Sequence, residues 1–321
     1  MKKCFLLFAL MMVAAFVPAT AQEHQCSGKG KACDGGAAME CCQKKVLVGQ
    51  QAEAWARENA DRLVDNYLAK AGNKLDPDEL RKELAEIGYD GTDVPSYRAA
   101  ERVLVDRAYE RMLASAVAAG KTSIILLTGT GGSGKSFSTR TMDFSGEGLL
   151  YDSAFNSYKK LSSVIDQAKA AGMTHVKVIA IYNDLITCFK NSIARGKRAK
   201  RFLGLKYLIG AFRNNINKIS LLHMNYPDVE LVTIDNTGNN GGRPVTVEEA
   251  EQWQYDVPAD LITRMLVHFL HEIDEGELVG QQILSVAGDD YLQIEGMNDT
   301  GEALVREIDR RVQAVKQEMK H

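Results

Sequence analysis

An α/β fold, with a parallel sheet flanked by helices, is what the sequence predicts. Three observations carry the prediction. From Lys121 onward, short apolar runs alternate with amphipathic helical stretches, the signature of strand–helix–strand units. A glycine-rich stretch, Gly129-Thr130-Gly131-Gly132-Ser133-Gly134-Lys135-Ser136, sits directly behind the apolar run Ser123 to Thr128. Residues before 120 and beyond 241 show helical spacing instead, so the core carries a helical N-terminal lead-in and a helical C-terminal extension.

In chain order, residues 1–21 read as a cleavable secretory signal. Lys2-Lys3 form its basic start, Phe5 to Val17 its apolar run, and Ala19 and Ala21 the small residues before a cut at Gln22. The apolar run is shorter than the roughly 20 residues a membrane span needs, so no stable span is expected after cleavage. The chain is thus expected to be exported, periplasmic or secreted; a downstream start site would leave it cytoplasmic. Residues 22–45 hold Cys26, Cys33, Cys41 and Cys42, which in an exported chain suggest two disulfides with three possible connectivities. A zinc cluster with His24 is the alternative, disfavoured by the absence of C-x-x-C spacing.

Residues 46–120 form the lead-in. Gln50 to Leu68 has apolar residues at helical spacing, Asp76-Pro77 reads as an N-cap with proline at the first helical position of a helix to about Ile87, and Ser96 to Ala119 is a third helix stopped by Gly120. Residues 121–240 form the core. Its strands are Ser123 to Thr128, Gly148 to Tyr151, His175 to Ile181 and Val229 to Ile234, with a helix continuing from Phe137 to Met142, another from Tyr158 to Ala171 and another from Asp184 to about Arg195. Residues 241–321 are mostly helical.

The glycine-rich stretch fits G-x-x-x-x-G-K-[ST] between a strand and a helix, the pattern of the phosphate-binding P-loop, so the core is expected to be a P-loop NTPase core. Glycines let backbone N–H groups converge on phosphate oxygens, Lys135 reaches the β- and γ-phosphates, and the Ser136 hydroxyl joins a Mg²⁺ shell. Gly129, Thr130, Gly131, Gly132, Ser133, Gly134, Lys135 and Ser136 are therefore the candidate nucleotide-binding residues. An acidic partner is expected at a strand end, where Asp152, Asp184 and Asp235 compete. Asp184 reads best as a helix N-cap. Asp152 follows the P-loop unit directly and is the choice for orienting Mg²⁺ or accepting a proton. The basic segment Gly196 to Leu205, with Arg195 beside it, reads as a lid whose Arg195, Arg198 and Arg201 can stabilise a transferring phosphoryl group. The net charge of −3 and 7% aromatic content advertise no nucleic-acid surface. Cys188, on an apolar stretch, reads as a buried thiol.

Taken together, the loop Gly129 to Ser136, the turn Tyr151-Asp152-Ser153-Ala154-Phe155-Asn156, the segment Val178 to Arg195 with Tyr182-Asn183-Asp184, the basic lid and Ile234-Asp235-Asn236-Thr237-Gly238 resemble the zeta toxin-like P-loop kinases. The resemblance covers about 120 residues. It implies an ATP-dependent phosphotransferase acting on a hydroxyl of a small molecule, which in that family is UDP-N-acetylglucosamine, and restraint by a small antitoxin. It matches Lys135 and Ser136 to the phosphate and magnesium residues and the lid arginines to a phosphate clamp. The family's substrate insertion is shortened or absent here, leaving Asp143 or Asp152 as stand-ins for its base. A different class of function is an exported nucleotide-binding, ATPase-like module that acts by binding a partner such as an envelope protein.

Overall fold

A computed structural model describes residues 46–91, 93–239 and 241–320. The expected signal and the cysteines at 26, 33, 41 and 42 lie outside the described residues. The lead-in begins with α1 (Gly49–Ala71), followed by a two-residue strand β1 (Lys74–Leu75) and a short helix α2 (Pro77–Leu80). Asp76 caps α2 as its sequence suggests, its carboxylate accepting from the N–H groups of Asp78 and Glu79, with Pro77 in the first turn. The expected helix does not run on as α: Arg81–Ile87 winds into a tighter 3₁₀ turn that ends on left-handed Gly88. Strand β1 is fixed from α1, because the Tyr67 hydroxyl donates to the Lys74 carbonyl (2.9 Å) and accepts from Asp76 N–H (2.8 Å). Helix α3 (Val94–Ala118) closes the lead-in, with Asp93 as its cap.

Five further strands follow among the described residues: β2 (Ser123–Thr128), β3 (Leu149–Asp152), β4 (His175–Tyr182), β5 (Glu230–Asp235) and β6 (Arg243–Val245). The sheet order is β1-β3-β2-β4-β5-β6, parallel throughout except for β6, which returns antiparallel along β5. The mixed α/β sheet, largely parallel and flanked by helices, is thus as expected from the alternation, while β1 and β6 are additions to it. Side-chain alternation sorts the strands onto two faces. Ile124, Leu126, Leu149, Tyr151, Val176 and Val178 pack with α1, α3 and α5 (Tyr158–Ala170). Ile125, Leu127, Leu150, Ile179, Ile181 and Ile234 face the other way, toward Met142 and Phe144.

The remaining helices are α4 (Lys135–Ser138), α6 (Leu185–Ala199), α7 (Leu205–Arg213), α8 (Lys218–Asn225), α9 (Val247–Ala250), α10 (Ala259–Asp274), α11 (Gln281–Ala287) and α12 (Asp299–Glu318). Helices α6, α7, α10, α11 and α12 share a second apolar core around Phe189, Phe212, Leu266, Phe269 and Ile308. Two expectations are corrected here. The helix after the glycine-rich stretch stops at Ser138 rather than Met142, where the Thr139 hydroxyl donates back to the Lys135 carbonyl (2.9 Å), a local bond that competes with helix propagation. The helix expected to end near Arg195 runs on into the basic segment. Helix α6 continues to Ala199, so Lys197 and Arg198 lie on its last turn, and the chain breaks only at Lys200 (φ 55°).

Candidate functional site

Strand β2 is central, with β3 on one side and β4 on the other, and the chain switches sides between them. A crevice opens at the carboxyl ends of strands where such a switch occurs. Here it becomes a cleft of about 770 Å³ lined by residues 131–136, by Asp152 to Ser157 after β3, by Arg195, Arg198 and Arg201, and by Asp76, Asp78 and Arg81 of the lead-in. Of the sequence-predicted residues, Gly131 to Ser136, Asp152, Arg195, Arg198 and Arg201 line this cleft, whereas Gly129 and Thr130 lie outside its lining. Asp143 does not join them: its carboxylate accepts from Ser145 N–H (2.9 Å) in an exposed turn.

The glycine-rich loop is held from below and behind. Gly129 N–H donates to the Ala154 carbonyl (3.3 Å), and Ser133 N–H to the Thr130 carbonyl (2.9 Å). Asn236 Nδ2, at the end of β5, donates to the Ser133 carbonyl (2.8 Å), and Asn191 Nδ2, on α6, to the Gly132 carbonyl (2.8 Å). A Cβ on Gly132 would lie 2.1 Å from the Cys188 carbonyl oxygen, and one on Gly134 would lie 2.2 Å from Asn236 Nδ2. Only glycine lets the loop approach its supports this closely. The other side of the loop is left unbonded: among the described residues, no protein acceptor meets the N–H groups of Gly131, Gly132, Gly134, Lys135 or Ser136. Backbone amides without acceptors on a cleft wall form a ready anion cradle. Lys135 Nζ donates to the Gly129 carbonyl (3.3 Å). Burial pulls its pKa down against the opposing influence of Asp152 and Asp78. Ser136 is exposed at the mouth of the cleft.

Charge around the loop is dense and interlocked. Asp152 pairs with Lys74 (2.9 Å), which also meets Asp76 (3.1 Å); burial works against the Lys74 charge, but Asp152 and then Asp76 hold its ammonium well above the ordinary range. Asp78 gathers the arginines, meeting Arg201 at close range, Arg81 at 3.2 Å and Arg195 at 3.9 Å. Burial alone would raise the Asp78 pKa, yet Arg201, Arg81 and Arg195 bring it below the ordinary carboxylate value. Burial and neighbouring Arg201 push the Arg195 pKa down. Arg198 lines the cleft with no ion-pair partner among the described residues. Asp184 instead caps α6, accepting from Thr187 N–H (2.9 Å), and Cys188 is buried, its thiol pushed up by desolvation.

Sequence reasoning missed several residues of this site. Asp78 and Arg81 look like ordinary members of a capped helix, and Lys74 like a turn residue. Lys218, on α8, is 2% exposed and donates to Thr128 Oγ1 (2.8 Å), the Phe155 carbonyl (3.2 Å) and, at close range, Asn215 Oδ1. Asn215 Nδ2 in turn donates to Thr130 Oγ1 (3.2 Å). The one available signal was positional: Asn236 and Lys218 flank the last parallel strand and the helix before it. The sequence matches no protein-family model, and comparison with curated proteins finds no match.

Proposed function

We propose that the protein is a P-loop kinase that transfers the γ-phosphoryl group of ATP to a hydroxyl of a small molecule. The observation that carries this reading is the set of five amides at residues 131–136 without an acceptor among the described residues, on a loop that lines the same cleft as Lys135 and three arginines. Amides and Lys135 fit a triphosphate, and Arg195, Arg198 and Arg201 fit charge that spreads over a transferring phosphoryl group. Magnesium fits as well. The exposed Ser136 hydroxyl and the Asp152 carboxylate are the residues that would hold it, and few protein ligands are needed when phosphates supply the rest. Bound magnesium would neutralise phosphate charge.

In the reaction, the acceptor oxygen forms a bond to the γ-phosphorus while the bond from that phosphorus to the β–γ bridging oxygen breaks, releasing ADP. The hydroxyl proton passes to a carboxylate at the cleft, for which Asp152 is the candidate. The turn Ser153 to Ser157, whose Asn156 Nδ2 donates to the Tyr207 hydroxyl (2.9 Å), forms the adjoining wall where an acceptor would sit. In the family that the sequence resembles, the acceptor is UDP-N-acetylglucosamine and a small antitoxin restrains the enzyme; both extend to this chain as proposals. Export with cleavage before Gln22 is proposed alongside, and mass spectrometry of the native amino terminus tests it. Calorimetry with magnesium and ATP tests the binding step. With γ-labelled ATP, label on a small molecule supports the kinase; label only in free phosphate supports a nucleotide-hydrolysing module that acts through a partner.

A further inference from the structure

The kinase reading leaves a buried lysine unused. Lys218, the first residue of α8, is 2% exposed and bonds the Phe155 carbonyl of the cleft wall without itself lining the cleft. Its three acceptors are neutral: Thr128 Oγ1 at the end of β2, the Phe155 carbonyl in the turn after β3, and Asn215 Oδ1 at the exit of α7. Carboxylates on the elements packed around it are committed elsewhere. Asp166 of α5 bonds Tyr226, Glu249 and Glu251 at α9 bond Thr246 and His223, and Glu248 is exposed. The one charged group that acts on Lys218 is Lys135, a second cation. A buried ammonium without a counter-anion is costly, and solvating it with neutral dipoles recovers only part of that cost.

We propose that Lys218 is a positioning residue of the phosphate loop, whose ammonium takes the bound polyphosphate as its missing counter-charge and ties β2, the loop and the 153–157 turn together when the loop is loaded. The proposal rests on the nucleotide-binding reading of the loop. Its connections fit the role, since Lys218 reaches Thr130 through Asn215 and reaches the wall of the acceptor side through Phe155, a non-glycine residue held at φ 41°. Protonation follows from the same electrostatics. Burial, and then Lys135, bring the Lys218 pKa down to about 7 in the unloaded protein. An anion on the loop raises it. The gain in affinity is therefore fully present below about pH 7, is lost as pH rises through the loaded-state value, and is accompanied between the two by uptake of a proton.

The test is calorimetry of the full chain with magnesium and ATP, in buffers of different ionisation enthalpy, for wild type and Lys218→Met. At about pH 7.5 the wild type takes up more protons per ATP than the variant, and the excess vanishes at about pH 9.5. Its affinity exceeds that of Lys218→Met by about tenfold at pH near 6.5, and the two converge at high pH. Equal proton uptake and parallel pH profiles in the two proteins overturn the proposal while leaving nucleotide binding intact. Absence of any heat with ATP overturns the nucleotide reading, and this inference with it. Should Lys218→Met fail to fold, NMR of Lys135→Met with isotope-labelled lysine and saturating ATP decides, since that variant removes the other lysine whose pKa burial lowers. A lysine titrating near neutrality that shifts upward with ATP upholds the proposal, and its absence refutes it.

Discussion

Replacing Gly132 by alanine measures how tightly the glycine-rich loop is packed on α6. Two costs are expected. The residue sits at φ 86°, a left-handed conformation that costs an L-residue about 1–2 kcal/mol. The added Cβ would lie 2.1 Å from the Cys188 carbonyl oxygen and 2.9 Å from its carbon, so the loop must move away from a helix backbone that cannot yield cheaply. Forced overpacking of this kind costs about 1–3 kcal/mol more. Gly172→Ala is the matched control: its φ is 103°, yet a Cβ added there would have nothing within 4 Å, so only the backbone term applies. Urea unfolding should place Gly132→Ala about 1–3 kcal/mol below Gly172→Ala in stability, with unchanged m-values. Displacing the loop also stretches the bond from Asn191 to the Gly132 carbonyl (2.8 Å), so ATP affinity should fall in Gly132→Ala alone. Equal destabilisation of the two variants would mean that the loop does not rest on α6 as described.

Other variants probe the charges. Lys135→Met should weaken ATP binding at least about tenfold, by calorimetry, without lowering the melting temperature, because the removed ammonium has a single backbone acceptor at 3.3 Å. Arg81→Ala should cost about 3–5 kcal/mol in urea unfolding, since it strands Glu101, paired at 2.7 Å, and takes one cation from Asp78. Acidification should destabilise the wild type through Asp78. Its folded-state pKa is depressed by the arginines, so its contribution is present above the unfolded value and is lost as pH falls through the folded one; melting curves of Asp78→Asn should lack that decline. The same variant leaves Arg195 and Arg201 without their carboxylate, and its ATP affinity at neutral pH should rise.

Much of this architecture is legible because it rests on local signals. Apolar runs of β-branched residues and leucine mark β2, β4 and β5, the Asp76-Pro77 and Asp184 caps mark helix starts, and glycine spacing marks the loop. What stays hidden depends on contacts distant in sequence. Strand β1 is two residues long and exists because β3 offers it a ladder and Tyr67 pins its end. Asp78 becomes part of the site only when Arg195 and Arg201, more than a hundred positions later, are brought beside it. Lys218 looks like any polar residue at the start of a helix; no pattern in one dimension says that its amine will be enclosed by Thr128, Phe155 and Asn215. The basic segment at 195–201 is legible as a cluster but not as the end of a helix, because composition reports charge and not where a helix stops.

The edge strand β1 has an implication for how this chain can be divided. Lys74 and Asp76 lie on and just after a strand that belongs to the helices before residue 120, yet they reach the cleft residues Asp152 and Lys135. The glycine-rich unit is therefore not a self-sufficient cassette. A fragment beginning at Lys121 would lose its border strand and strip Asp152 of Lys74 and Arg195 and Arg201 of Asp78. Grafting that fragment onto another protein, by nature or by an engineer, would transplant the motif without the scaffold that polarises it.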